Sequence, residues 1–196
     1  MKTLDIQLRI MHRFDLGADV HEGFPRMIRA ADGRLLVFTR IGTTHASDPA
    51  VIAMRQSLDE GGTWSQPREL WRDPGGEEWT CHNPVALVLP EGGIVLWVSR
   101  YEFGAGRKLD CLIARSDDNG QTWSPFLQFD PDPSRCCYYV TDAVVADDRI
   151  IAMGTCFTPS GKEPAFNMCW HGDLSGGRWE SVSYMTPPDV NIGDEV

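Results

Sequence analysis

Ser57-Leu-Asp-Glu-Gly-Gly-Thr-Trp64 returns 59 residues later as Ser116-Asp-Asp-Asn-Gly-Gln-Thr-Trp123. Both copies read Ser-x-Asp-x-Gly-x-Thr-Trp, and two copies in register mark an internal repeat whose period constrains the fold before any single element is assigned. The octet has the chemistry of a tight connection between antiparallel strands. Ser57 and Ser116 open it, and Asp59 and Asp118 are placed to accept hydrogen bonds from backbone amides ahead of them. Gly61 and Gly120 supply positive φ without a Cβ penalty. Trp64 and Trp123 are set to pack as the chain re-enters a strand.

The repeat extends on both sides of the octet. Pro25 and Pro84 are 59 apart, as are the turns Asp32-Gly33 and Glu91-Gly92, and each turn leads into an apolar run, Leu35–Phe38 and Ile94–Trp97. A third unit follows at a spacing of 56: Asp147-Asp148 as turn, Ile150–Met153 as apolar run, and Trp179 after Trp123. Its turn, Gly172-Asp-Leu-Ser-Gly-Gly-Arg-Trp179, keeps only a glycine and the tryptophan of the octet. Each unit reads as strand, turn, strand, longer loop, strand, octet turn, strand. In the first unit the strands fall near 25–30, 34–40, 50–56 and 65–71. Four antiparallel strands per repeat make a β-propeller blade, and stacked blades bury both sheet faces. No window sustains a 3.6-residue period, and 19 glycines with 13 prolines punctuate the chain. The expectation is all-β: blades at about 24–71, 83–130 and 140–186.

The octet resembles the Asp-box (BNR) repeat of sialidases and related β-propellers. At roughly 57 residues per unit, 196 residues hold about three blades, fewer than a closed ring needs. On that resemblance the chain reads as the N-terminal half of a six-bladed protein, with 189–196 beginning a fourth blade. The segment 3–14, which alternates apolar and polar, reads as a strand of the closing blade. The rival is a half-propeller that self-associates through its open sheet edges.

A formal net charge of −10 and a pI near 4.9 disfavour nucleic acid and anionic membranes as partners. No apolar stretch is long enough to span a bilayer, and the N-terminus lacks the pattern of a signal peptide. The expected location is cytoplasmic, with secretion open for a processed chain. Six cysteines (81, 111, 136, 137, 156 and 169) sit mostly in apolar strand patterns and read as reduced thiols. Neither Cys81-His82 nor Cys169-x-His171 has the second pair a zinc site needs, and Asp118-x-Gly120 lacks the later glutamate of a calcium loop. No metal and no cofactor are expected.

Alternate connections of a blade lie at opposite ends. The Asp32-Gly33 turn and the octets share one end, so the octet aspartates read as structural. The opposite end gathers His21, Glu22, Arg40, His45, Asp48, His82, Asn83, Arg100, Tyr101, Glu102, Tyr139, Asp142, Asp194 and Glu195, and loops on a rigid scaffold are where chemistry collects. The sialidase resemblance implies roles here. Asp48, in the loop after the second strand, stands at the family's acid/base position. Glu195 stands where a glutamate polarises the tyrosine nucleophile, and that tyrosine with two further arginines would fall beyond Val196. The family's first arginine precedes the proline of Phe24-Pro25 by two residues, and here that position is Gly23. Arg26 lies inside the strand and does not simply replace it, whereas Arg40 points to the same end.

The reading is therefore a glycoside hydrolase resembling exo-sialidases, taking a carbohydrate substrate. Asp48 and Glu195 are the catalytic candidates. Arg40, His45, His82, Arg100, Glu102 and Asp142 are the substrate-binding ones, with Arg40 and Arg100 suited to an acidic sugar. Arg40 and Arg100 equally fit plain ion pairs with Asp48 and Glu102, and Asp48 before Pro49 equally fits a turn. The alternatives are a non-catalytic glycan- or protein-binding propeller and a polysaccharide lyase on the same scaffold.

Overall fold

A computed structural model describes residues 19–45, 48–74, 79–102, 109–129, 136–157 and 166–184. Every regular element among them is a β-strand. The first sheet holds β1 (His21–Arg29), β2 (Leu35–Gly42), β3 (Val51–Ser57) and β4 (Arg68–Arg72). The second holds β5 (Trp79–Val88), β6 (Ile94–Glu102), β7 (Leu109–Ser116) and β8 (Leu127–Gln128). The third holds β9 (Cys136–Ala146), β10 (Arg149–Phe157), β11 (Phe166–Asp173) and β12 (Trp179–Tyr184). Each sheet is antiparallel and pairs its strands in chain order. The first strands of successive sheets, β1, β5 and β9, lie against one another. Successive four-stranded sheets with their first strands innermost are propeller blades. Segments 3–14 and 189–196 lie outside the described residues.

The packing follows from the strand pattern. In β6, Ile94, Val95, Leu96, Trp97 and Val98 are all essentially inaccessible. Alternate residues of a strand point to opposite faces, so such a run requires cover on both. Ile94, Leu96 and Val98 join Leu36, Phe38, Ile52 and Met54 of the first blade in one core. Val95 and Trp97 join Ile150, Ala152, Met168 and Trp170 of the third blade in another. The second blade is the filling of a three-layer stack.

The octet turns form as their residues dictate. Thr63 N donates to Asp59 Oδ1 at 2.8 Å, and Thr122 N donates to Asp118 Oδ1 at 2.8 Å. Gly61 N and Gly120 N each donate to the opening serine at 2.9 Å. Gly61 and Gly120 take φ of 87° and 81°. The third turn is closer to this pattern than its sequence suggests. Asp173 Oδ1 accepts Ser175 Oγ at 2.5 Å and Gly177 N at 3.2 Å, Gly176 has φ 72°, and Trp179 Nε1 donates to Gly176 O at 3.0 Å. The aspartate has moved one position earlier relative to the tryptophan and still closes the turn.

These turns also join blades. Trp123 meets Phe38 of the preceding blade edge to face at 5.8 Å, and Trp179 meets Trp97 at 5.8 Å and Phe129 at 4.9 Å. Arg68 of the first blade donates to Gly120 O and Gln121 O of the second octet, and Arg115 of the second donates to Leu174 O in the third. Among the described residues, no helix is long and apolar enough to cross a membrane.

Candidate functional site

The ends opposite the octets are built on a shared irregularity. Pairing slips between Gly23 and Arg26 in β1 and between His82 and Val85 in β5, leaving Phe24-Pro25 and Asn83-Pro84 as bulges 59 residues apart. Proline cannot donate to a ladder, so the pairing breaks where Pro25 and Pro84 stand. β9 slips at the equivalent place, where Val140 pairs with Gly154 and Asp142 with Met153, leaving Thr141 extra. Phe24 has φ 54° and Asn83 φ 36°. A phenylalanine held at positive φ is a true outlier, and such strain concentrates at functional sites.

The three bulges converge on one open recess of about 230 Å³, lined by Phe24, Pro25, Arg26, Asn83, Pro84, Val85, Val140 and Thr141. Aromatic rings gather beside it. Phe24 lies 4.9 Å from His45 and 4.7 Å from His82, ring centre to ring centre, and His45 stands edge-on to His21 at 5.5 Å. The β1 bulge, the loop after β2 and the β5 bulge thus meet at one aromatic-imidazole patch. Arg26 Nη2 reaches Asp142 Oδ1 at 2.6 Å, tying the inner strand of the first blade to that of the third.

Arg40 and Asp48 do meet, as a buried pair. The Arg40 side chain is inaccessible, and its Nη2 lies 2.6 Å from Asp48 Oδ1. The guanidinium also donates to Cys81 O at 3.0 Å, Thr44 O at 2.6 Å and Thr80 Oγ1 at 3.3 Å. Asp48 further accepts from Thr43 N, from Thr43 Oγ1 at 3.0 Å and from Thr44 Oγ1 at 2.7 Å. Burial disfavours its charge, yet the Thr43 amide, Arg40 and Thr44 together outweigh burial and hold the carboxyl far below the usual range. As placed, Asp48 is an anion with its lone pairs engaged, and Arg40 has no face turned to a ligand. Burial also pushes the adjoining Cys81 thiol up to about 12.

Arg100 is paired too, though not with Glu102. Its Nε lies 3.1 Å from Asp110 Oδ1 and 3.3 Å from Asp73 Oδ2, and its guanidinium sits 4.0 Å from the ring centre of Trp79. Burial raises the Asp110 carboxyl; Arg100 pulls it down and Asp73 pushes it up. Glu22, placed at this end by sequence, pairs with Arg55 at 3.1 Å and accepts from Thr39 Oγ1 at 2.6 Å within the first blade.

Of the sequence candidates, His45 and His82 come together on the ring of Phe24, Asp142 holds Arg26, and Arg40 with Asp48 closes the loop after β2. Arg100 belongs to the Trp79 group, where Glu102 stands opposite Trp79 in the ladder. Glu195 lies outside the described residues, as does Asp194. Sequence reasoning set Arg26 aside as a strand residue and assigned no role to Phe24, Trp79, Asp73 or Asp110. The signal for Phe24 was its equivalence to Asn83 ahead of the paired prolines.

No family model matches the chain, and no curated protein does. Solved structures do. A Dyadobacter fermentans protein of unknown function superposes with a TM-score of 0.71 at 19% identity, over 86% of this chain and 56% of that one. A Hadza microbial sialidase gives 0.70 at 19% identity, over 84% and 38%. A Penicillium chrysogenum α-L-arabinanase gives 0.58 at 18% identity, over 86% and 50%. This chain therefore spans about two fifths to three fifths of the length of each. At such identities the likeness is one of fold.

Proposed function

We propose that this chain forms part of a glycan-active propeller whose carbohydrate sits where the three bulged inner strands converge. The observation that carries the reading is that Phe24 both lines that recess and packs against His45 and His82. Flat apolar rings beside imidazole, amide and hydroxyl groups suit a sugar ring, which offers a C–H face and a hydroxylated edge. The likeness to a sialidase and an arabinanase adds scaffold-level support for glycoside hydrolysis as the reaction class.

Within this proposal Asp48 is the acid/base and Glu195 assists a nucleophile. The test is Asp48→Asn, assayed on a glycoside with a poor leaving group and on an activated aryl glycoside. A positioned proton donor contributes about 10²–10⁴-fold, so turnover of the first substrate should fall on that scale, with the second largely spared. Small and equal losses on both would remove Asp48 from the chemistry. A second reading, a glycan-binding propeller without turnover, is favoured by one observation: the donors around Asp48 hold it ionised. Glycan binding without measurable hydrolysis would select it.

A further inference from the structure

Resting on the reading of this end as a glycan site, we propose that its ligand is a neutral glycan, without carboxylate or sulfate groups. Anionic sugars are held by guanidinium groups free to present two parallel donors. Among the described residues at this end, each arginine already has a carboxylate. Arg40 is closed onto Asp48, Arg26 onto Asp142, Arg72 onto Glu69, and Arg100 lies between Asp73 and Asp110.

The remaining groups point the same way. A net charge of −10 repels anions at long range. What the recess offers is Phe24, two proline rings, the Asn83 amide and the Thr141 hydroxyl, with Arg26 as its one charged group, held by Asp142 at 2.6 Å. An acidic sugar would have to break the buried pair of Arg40 or compete with Asp142 for Arg26. A neutral sugar gains its stacking and hydrogen bonds with every pair intact.

The experiment uses the whole chain on an array of neutral and acidic glycans, followed by calorimetric titration with lactose and 3′-sialyllactose, which share a neutral core, and with arabinobiose and digalacturonate. Neutral glycans should be retained, and each acidic probe should bind at least about ten-fold more weakly than a neutral one. Acidic probes binding as tightly or tighter, with affinity falling as salt rises, would overturn the neutral-ligand proposal and leave the glycan site standing. No retention of any glycan would overturn the glycan site itself. The variant Asp142→Asn releases Arg26 from its carboxylate. It should raise affinity for the acidic probes several-fold relative to lactose, and an unchanged ratio would show that ion pairing is not what excludes acids.

Discussion

Gly42 is where a single hydrogen atom decides whether the first blade's loop can close. A Cβ there would lie 2.5 Å from Asp48 Oδ2 and 2.8 Å from Arg40 Nη1, two groups fixed by their own hydrogen bonds. Gly42→Ala should therefore cost about 1–3 kcal/mol in denaturant unfolding, the usual penalty for forcing volume into a filled site. Breaking the pair itself, as Asp48→Asn does, should cost about 3–5 kcal/mol, because a buried guanidinium is left without its counter-ion. Asp118 makes the opposite kind of statement, one about pH. Thr122 through its hydroxyl and amide, with help from Ser116 against a small burial cost, holds its carboxyl down to about 2. Its folded pKa lies below the unfolded value of about 3.9, so the stability it contributes is complete above about pH 4 and lost as pH falls towards 2. Asp118→Ala should lower Tm at pH 7 and flatten the decline of Tm between pH 4 and 2. An unchanged acid limb would show that the turn does not depend on the carboxylate.

The inner-strand bulges carry their meaning at the level of the element. Phe24 keeps φ 54° at a cost on the order of 1–3 kcal/mol, which a residue serving only the core has no reason to bear. Phe24→Gly should accordingly leave Tm unchanged or raised while weakening glycan binding. Parallel loss of both would make Phe24 a packing residue. The octets were legible because their chemistry is local: serine, aspartate, glycine and tryptophan interact within eight residues, and period alone then sets the strand count. Even so, the displaced aspartate of the third turn went unread, since Asp173 does the same task one position away. The bulges were harder. Pro25 and Pro84 were visible as a spaced pair, but Thr141 has no proline and its slip depends on how β9 and β10 pair. The contacts of Arg40 were half legible, with Asp48 eight residues away, whereas Cys81 O and Thr80 Oγ1 come from the next blade. Asp73 and Asp110 meet around Arg100 through tertiary packing that no spacing announces.

Across the whole molecule, the sheets hold together through side chains that leave one blade and enter its neighbour. Trp97, inaccessible and touching Phe129 and Trp179, should cost about 3–5 kcal/mol as Trp97→Ala. The loss should appear as a lowered single transition if the blades unfold together, and as two separated transitions if the third blade is released. The contacts also have a sense of direction. The second octet settles on Phe38 and Arg68 of the first blade, and the third turn settles on Trp97 and Arg115 of the second. Each turn settles on side chains that its predecessor supplies. On the ribosome the predecessor always emerges first. A newly made blade thus meets a finished template rather than a missing partner, and the order of translation becomes the order of assembly.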